Sequence, residues 1–130
     1  MLGFDTNVLV RIVVADDPSQ TEAAGAVLHE AALQGGAWIS QIVIVETVWV
    51  LSSRYRFDRA KVCECLLDLL DAPVLVFEER DRVERALAAY GAGAADFSDY
   101  LVLESARDAG ALPLVSFDAR LAREANVRLP

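Results

Sequence analysis

Acidic side chains at the ends of apolar segments are the residues of this sequence best suited to chemistry. Asp5 follows the apolar start of the chain, Asp118 follows another apolar run, and Asp99 lies near the start of a predicted helix. Glu46 lies inside the most apolar stretch, residues 42–51. Carboxylates that meet in a fold repel one another unless a cation lies between them. Mg²⁺ and Mn²⁺ prefer carboxylate and water oxygens, and such ions can activate a water that attacks a phosphodiester.

The predicted elements place some of these acids at one edge of a parallel sheet. Apolar runs predict strands at 1–4, 37–39, 74–77 and 112–117, with an edge strand at 127–129. Helices are predicted at 7–14, 19–33, 41–53, 59–70, 78–90, 96–109 and 118–124, with a loop at 91–95. Because strands and helices alternate, the sequence predicts an α/β fold whose parallel sheet is covered on both faces. Asp5 and Asp118, each one residue after a buried strand, then lie at the carboxyl ends of the strands, where sites form in such sheets.

Helix capping is the structural alternative for most of these acids. Asp5, Asp96 and Asp118 stand where the N-cap of a predicted helix belongs, a position that Asp favours. Asp99 lies three residues after Asp96, so the pair could form a capping box, although a short acid reaches back less well than Glu. Capping therefore explains Asp96 well and Asp99 less well, and both interpretations of Asp5 and Asp118 stay open.

The segment around Glu46 is ambiguous between strand and helix. Its β-branched residues favour a strand by propensity, but strict alternation is missing and a helix over 41–53 is predicted, capped by Ser40. One face of that helix would carry Ile42, Glu46, Trp49 and Val50. A carboxylate buried on such a face needs an ion pair, hydrogen bonds or a cation. The alternative is a residue on the helix surface, or one paired with Arg11 or Arg54.

Composition limits the classes of protein that this chain can be. Its 130 residues predict a single domain, 1–130, and 55% apolar residues exclude a disordered polyelectrolyte. No apolar stretch reaches the about 20 residues needed to span a bilayer, and Asp5 argues against a signal peptide. We therefore expect a cytoplasmic protein with no membrane contact. The net charge of −8 disfavours nucleic-acid binding through bulk charge, unless the acids hold metal ions.

One histidine and two cysteines leave little room for other metal or nucleophile chemistry. His29 is the only histidine, so neither a histidine-rich metal site nor a Ser-His-Asp triad is expected. Cys63 and Cys65 lie two residues apart, a spacing that matches no zinc pattern and points the thiols to different faces of a helix. Both are predicted to be packing residues.

The ordered set of acids resembles a known family. The set comprises the run Asp-Thr-Asn at 5–7, Glu46 inside an apolar helix, the run Asp-Phe-Ser-Asp-Tyr-Leu at 96–101, and Asp118 after Val-Ser-Phe. With these spacings the chain resembles the PIN domain over essentially its whole length. More narrowly, it looks like the VapC-type toxins of bacterial toxin–antitoxin pairs.

The resemblance implies a fold, an activity and a cofactor. The fold would be a three-layer α/β/α sandwich with a central, mostly parallel sheet, and the activity a metal-dependent ribonuclease that uses water to cut phosphodiester bonds. Carried over by position, Asp5, Glu46 and Asp99 would be the main catalytic and metal-binding acids, with Asp118 as a fourth. Asp96 would be an extra ligand if it is not only a cap. The implied cofactor is Mg²⁺ or Mn²⁺.

The resemblance also implies supporting residues and partners. Thr6 and Asn7 would orient Asp5 through hydrogen bonds, and Ser116 matches a small hydroxyl residue that lines the pocket. The local basic cluster would contact RNA phosphates, or else it is a solvated turn between helices; it comprises Arg54, Arg56, Arg59 and Lys61. A small antitoxin protein and a second copy of the chain, forming a homodimer, are the expected protein partners.

Two other functions compete with a nuclease. A non-catalytic PIN-like module would bind RNA or a protein without cutting. A phosphoaspartyl domain, either a receiver or a haloacid-dehalogenase-like hydrolase, would also place an Asp after the first strand. Those hydrolases usually carry a second acid where this chain has Asn7, and both classes use a late lysine, whereas Lys61 is the only lysine. A substitution of Asp5 tested with and without Mg²⁺ separates these functions.

Overall fold

Parallel strands alternate with helices along the chain. The structure is a computed structural model that describes residues 1–130, and the chain divides into two units, Met1–Arg80 and Asp81–Pro130. Each unit has its own hydrogen-bonded sheet, and every strand pairing is parallel. The predicted α/β class is therefore confirmed, although the strands form two sheets where one was expected. That the chain is a single domain stays a prediction.

A three-stranded sheet lies at the centre of the first unit. Its strands are β1 (Leu2–Gly3), β2 (Ala37–Ile39) and β3 (Leu75–Phe77), with β2 in the middle. The helices of this unit are α1 (Thr6–Val13), α2 (Pro18–Leu33), α3 (Gln41–Ser53) and α4 (Arg59–Leu70). α1 packs against both α2 and α3. The register places Ala37 between Leu2 and Leu75, which aligns the carboxyl ends of the three strands.

Polar side chains at the N-caps explain why three of these helices begin where they do. Asp17 accepts the Gln20 backbone N–H at 3.0 Å. Ser40 and Asp58 accept in the same way at the starts of α3 and α4, at 3.2 and 2.8 Å. Each side chain satisfies an N–H that the helix itself leaves without a partner. The predicted ranges of α3 and α4 are confirmed at both ends.

Two glycines end α2 and return the chain to the sheet. Gly35 and Gly36 have φ of +90° and +115°, a region that other residues rarely adopt. A Cβ on Gly36 would stand 3.0 Å from the Val74 carbonyl oxygen, so a side chain there would push β2 away from the segment that leads into β3. The sharp turn before β2 therefore requires glycine.

α3 is a helix in spite of its strand-forming composition, as predicted. Its inner face is buried and consists of Val43, Ile44, Thr47, Val48 and Leu51. Ile42, Glu46 and Trp49 lie on the opposite face and are exposed. Of the interpretations of Glu46, a residue on the helix surface is confirmed and a buried carboxylate is wrong, because its face of α3 is turned away from the core. The predicted ion pair of Glu46 with Arg11 or Arg54 was also wrong, since Arg11 pairs with Asp16 and no ion pair joins Glu46 to Arg54.

The second unit carries two helices and a two-stranded sheet. α5 (Arg80–Ala92) starts at the boundary between the units, followed by α6 (Phe97–Asp108), β4 (Leu114–Val115), a 3₁₀-helix (Leu121–Arg123) and β5 (Val127–Arg128). Ion pairs link α5 to α6, with Arg82 to Asp108 at 2.8 Å and Arg85 to Glu104 at 2.9 Å. Glu104 is buried, and this pairing satisfies its charge.

Several predicted boundaries needed correction. β1 and β4 are shorter than predicted and half exposed, so Asp5 and Asp118 follow them by two and three residues instead of one. α5 begins after Glu79, whose φ of +49° is not helical, and it extends to Ala92, which shortens the predicted loop at 91–95. The predicted helix at 118–124 is only a 3₁₀ turn.

The cysteines are free packing residues on α4, as predicted.

Candidate active site

Asp5 caps the first helix, which confirms its structural role. Its backbone is extended, with φ −86° and ψ 166°, as the N-cap position requires. The Thr6 backbone N–H donates to Asp5 Oδ1 at 2.7 Å. This bond fixes one carboxylate oxygen and leaves Oδ2 without a protein donor. Capping and ligand binding are therefore compatible at Asp5.

Thr6 connects Asp5 with Glu46, a residue forty positions away. The Thr6 hydroxyl donates to Glu46 Oε2 at 2.7 Å, and Thr6 is buried although Glu46 is exposed. From the sequence, Thr6 was expected to orient Asp5 and no other acid. It does so through its backbone, while its hydroxyl orients the second carboxylate.

A cleft of about 490 Å³ contains both carboxylates, and we call it the Asp5 cleft. It is lined by Asp5, Thr6, Asn7, Val45, Glu46, Trp49 and Val50. All of these residues belong to α1 or α3 or to the turn before α1, and α1 packs on α3. The cleft therefore has two acids, two polar residues and an apolar wall, and no basic side chain lines it.

Asp96 and Asp99 form a capping box at the start of α6 in the second unit. The Asp96 backbone N–H donates to Asp99 Oδ2 at 3.1 Å, so the short acid does reach back, contrary to expectation. Burial raises the pKa of Asp99, and the negative charges of Asp118 and Asp96 raise it further. The Asp96 N–H and Arg120 act in the opposite direction. The net effect is a raised pKa, so the surroundings of Asp99 disfavour its ionised form relative to a carboxyl group in water.

Asp118 caps the turn that follows β4. Its Oδ1 accepts the backbone N–H groups of Arg120 and Leu121 at 2.8 and 3.2 Å, which lowers the pKa of the carboxyl. Ser116 accepts the Asp118 backbone N–H at 3.0 Å and so shapes the same turn. The second unit thus brings Asp96, Asp99 and Asp118 close enough for their charges to interact.

A buried tyrosine beside Asp99 is a feature that the sequence analysis missed. The Tyr100 hydroxyl donates to Glu124 Oε1 at 2.9 Å and ties the start of α6 to the segment after Asp118. Gly93 makes room for it, since a Cβ there would overlap the hydroxyl. The Tyr in the run at 96–101 is visible in the sequence, but nothing there marks Glu124 as its partner.

The predicted basic cluster lies around the turn between α3 and α4. Arg54 and Arg56 are exposed in this turn, and Arg59 opens α4. Lys61 lies 3.7 Å from Glu64 and 6.0 Å from the centre of the Phe57 ring. Contact of these residues with RNA stays a prediction.

The sequence of the chain matches one family model over almost its full length. The match is to the PIN domain and covers residues 4–126. The chain belongs to the PIN domain family. No curated protein matches it. The family match confirms the PIN-like α/β fold and identifies the chain as a nuclease-type domain, and it gives no support to a phosphoaspartyl domain.

PIN domains typically use divalent metal ions, and the acidic side chains of this chain are the groups that could bind such an ion. No group of three or more His, Cys, Asp or Glu side chains is arranged to hold a metal ion. Mg²⁺ nevertheless needs only one or two carboxylates and keeps several waters. Asp5 and Glu46 supply two carboxylates in one cleft and fit that donor set.

None of the helices has the length and apolar character needed to cross a membrane.

Proposed function

We propose that this PIN domain is a Mg²⁺- or Mn²⁺-dependent endoribonuclease that hydrolyses RNA phosphodiester bonds with an activated water. The observation that carries the proposal is the pair of carboxylates held by Thr6 in the Asp5 cleft. A capping role explains Asp5, but it does not explain why a second carboxylate is hydrogen-bonded beside it. Two acids in a water-accessible cleft suit a hard cation.

The proposed catalytic and metal-binding residues are the four acids that the resemblance implies: Asp5, Glu46, Asp99 and Asp118. A bound cation would lower the pKa of a water and stabilise charge on the phosphate. The raised pKa of Asp99 supports its place in this set, because burial and like charges at a carboxyl are typical of functional sites. Asp96 is proposed mainly as a cap, with ligand binding as its second role.

The supporting residues act on the acids or on the substrate. Thr6 orients Glu46 and Asp5, Asn7 lines the same cleft, and Ser116 shapes the turn of Asp118. The proposed RNA contacts outside the cleft are the basic side chains Arg54, Arg56, Arg59 and Lys61. They would offset part of the repulsion between RNA and a chain of net charge −8.

The biological setting is proposed from the resemblance to VapC-type toxins. The chain would be the toxin of a toxin–antitoxin pair, held by an antitoxin protein, forming a homodimer and acting in the cytoplasm. The 55% apolar composition is consistent with a buried partner surface, and a well-filled core explains it equally well.

The first prediction concerns the substitution Asp5→Asn. Asn can still cap α1, but it cannot supply a negative ligand. We expect cleavage of single-stranded RNA in Mg²⁺ to fall by more than about a hundredfold, beyond the effect of losing a supporting hydrogen bond. Gel assays with and without EDTA measure this loss.

The matched control is Asp58→Asn, which makes the same change at the N-cap of α4, outside the Asp5 cleft. It should leave cleavage unchanged. Cutting that persists in Asp5→Asn would contradict the nuclease proposal, and RNA binding without any cutting by the wild type would indicate a non-catalytic module. A stable phosphate on Asp5 would indicate a phosphoaspartyl protein.

A further inference from the structure

An exposed tryptophan forms part of the wall of the Asp5 cleft. Trp49 lies on the outer face of α3, three residues after Glu46, and 62% of its surface is exposed. The neighbouring wall residues Val45 and Val50 are half-buried. Ile42 shares this face of α3 and is even more exposed, yet it does not line the cleft.

Exposure of an indole is unfavourable in the free protein. A tryptophan offers the largest apolar surface of any side chain, and its burial is strongly favourable. The core does not use this surface, since α3 buries its opposite face. The Asp5 cleft, which Trp49 lines together with Asp5 and Glu46, therefore has a flat aromatic surface available to a ligand.

The charge of the cleft limits what such a ligand can contact. The lining has two acids and no Lys or Arg, and the whole chain has a net charge of −8. Affinity for RNA through direct phosphate contacts is therefore small at this site, because those contacts depend on basic side chains. Stacking of a base on an aromatic ring needs no charge and tolerates every base.

We propose that the indole of Trp49 is the platform on which a nucleobase of the RNA strand stacks beside Asp5 and Glu46. The proposal rests on the proposed ribonuclease function and adds to it the residue that holds the substrate. A base inside a duplex has no free face, so the nucleotide on Trp49 is unpaired. Stacking there would place the adjoining backbone next to the two carboxylates.

Intrinsic fluorescence isolates this contact. Trp38 and Trp49 are the only tryptophans, so Trp38→Phe leaves Trp49 as the single indole. In this background Asp5→Asn stops the proposed cleavage, and binding can be followed at equilibrium. A random-sequence pool of single-stranded RNA of about ten nucleotides, within the site sizes of single-strand binders, should quench Trp49. An abasic oligomer of the same length should quench it far less.

Three variants separate stacking from other uses of the exposed face. Trp49→Phe keeps an aromatic ring and should retain most of the affinity for the RNA pool. Trp49→Leu keeps an apolar side chain without a ring, and should weaken binding of labelled RNA roughly 5- to 150-fold. Ile42→Ala changes the same face outside the cleft and should bind as the parent does. Fluorescence polarisation of the RNA label measures all three.

The outcomes decide between the possible occupants of this face. Equal binding by Trp49→Leu and its parent, or equal quenching by the abasic oligomer, overturns the proposal. If Ile42→Ala and Trp49→Leu both change the sedimentation of the protein, the face is a protein interface and the proposal is also overturned. Circular dichroism of each variant confirms that it is folded.

Cleavage assays keep this proposal distinct from the ribonuclease proposal. With Asp5 intact, Trp49→Leu should raise KM and leave kcat nearly unchanged, because the lost contact binds substrate and transition state alike. If Asp5→Asn does not affect cutting while Trp49 is still quenched by RNA, the ribonuclease assignment fails and the stacking contact stands. If cutting depends on Asp5 but Trp49→Leu has a normal KM, the stacking contact fails alone.

Discussion

At the level of single residues, Thr6 has an unusual position because it contacts two carboxylates through different groups. Its backbone N–H is directed by the start of α1, whereas its hydroxyl is directed by packing, since Thr6 is only 6% exposed. Glu46 on its own is an exposed side chain with several rotamers. The hydroxyl holds the Glu46 carboxylate in one position, so Thr6 converts a surface glutamate into a fixed member of the cleft that Asp5 also lines.

Thr6→Val tests this positioning role. Valine keeps the branched shape and the backbone N–H to Asp5, but it removes the hydrogen bond to Glu46. We expect cleavage to fall about 10- to 100-fold, the usual cost of losing a residue that orients a metal ligand. Stability should fall by only about 1 kcal/mol, because Glu46 stays in contact with water. Single-turnover cleavage and urea unfolding measure the two effects.

Two substitutions serve as controls for Thr6→Val. Thr6→Ser keeps the hydroxyl and should recover most of the lost rate. Thr47→Val removes a buried hydroxyl of α3 that donates to the Val43 carbonyl, away from the cleft, and should leave cleavage unchanged. A normal rate in Thr6→Val would mean that Glu46 needs no orientation.

At the level of elements, local chemistry determined which boundaries could be predicted from the sequence. The caps Ser40 and Asp58 act on residues three positions away, so both helix starts were visible in the sequence. The start of α5 depends on the left-handed backbone of Glu79, which its side chain does not indicate. The ends of β1 and β4 depend on pairing with distant strands, which no local pattern specifies.

The ion pairs between α5 and α6 predict a pH dependence of stability. Hydrogen bonds from Arg82 and then Arg85 lower the pKa of Asp108. Because the folded pKa lies below the unfolded one, this stabilisation is present above the unfolded pKa and is lost as pH falls through the folded pKa. Asp108→Asn should therefore be less stable than the wild type at neutral pH, and the difference should vanish in acid.

Urea unfolding of both proteins between neutral and acid pH measures this difference. Asp68→Asn is the control, since Asp68 is exposed on α4 and makes no ion pair, and it should match the wild type at every pH. If the wild type and Asp108→Asn differ equally at all pH values, the carboxylate charge is not what stabilises the pairing of α5 with α6.

At the level of the whole molecule, the sequence predicted the family and the fold class better than it predicted the side-chain contacts. The order and spacing of the acids were enough to identify the family, because these features are linear. The bond from Thr6 to Glu46 spans forty residues and the bond from Tyr100 to Glu124 spans twenty-four, so only the fold creates them. The sequence left both a buried and an exposed Glu46 open, because hydrophobic α3 has an apolar outer face as well as an apolar core face.

Because the chain has a net charge of −8, binding of a cation should be measurable as a change in the stability of the whole protein. A cation that binds only the folded state stabilises it, by about 2.7 kcal/mol at a concentration one hundred times Kd. We therefore expect Mg²⁺ or Mn²⁺ to raise the Tm of the wild type by several degrees, and EDTA to reverse the rise. NaCl at matched ionic strength separates this effect from general screening of the acidic surface.

Asp5→Asn should lose most of the difference between MgCl₂ and NaCl, while Asp58→Asn should keep it. If the two salts act equally on the wild type, its acids form no specific cation site, and the metal-dependent part of the proposed function is contradicted.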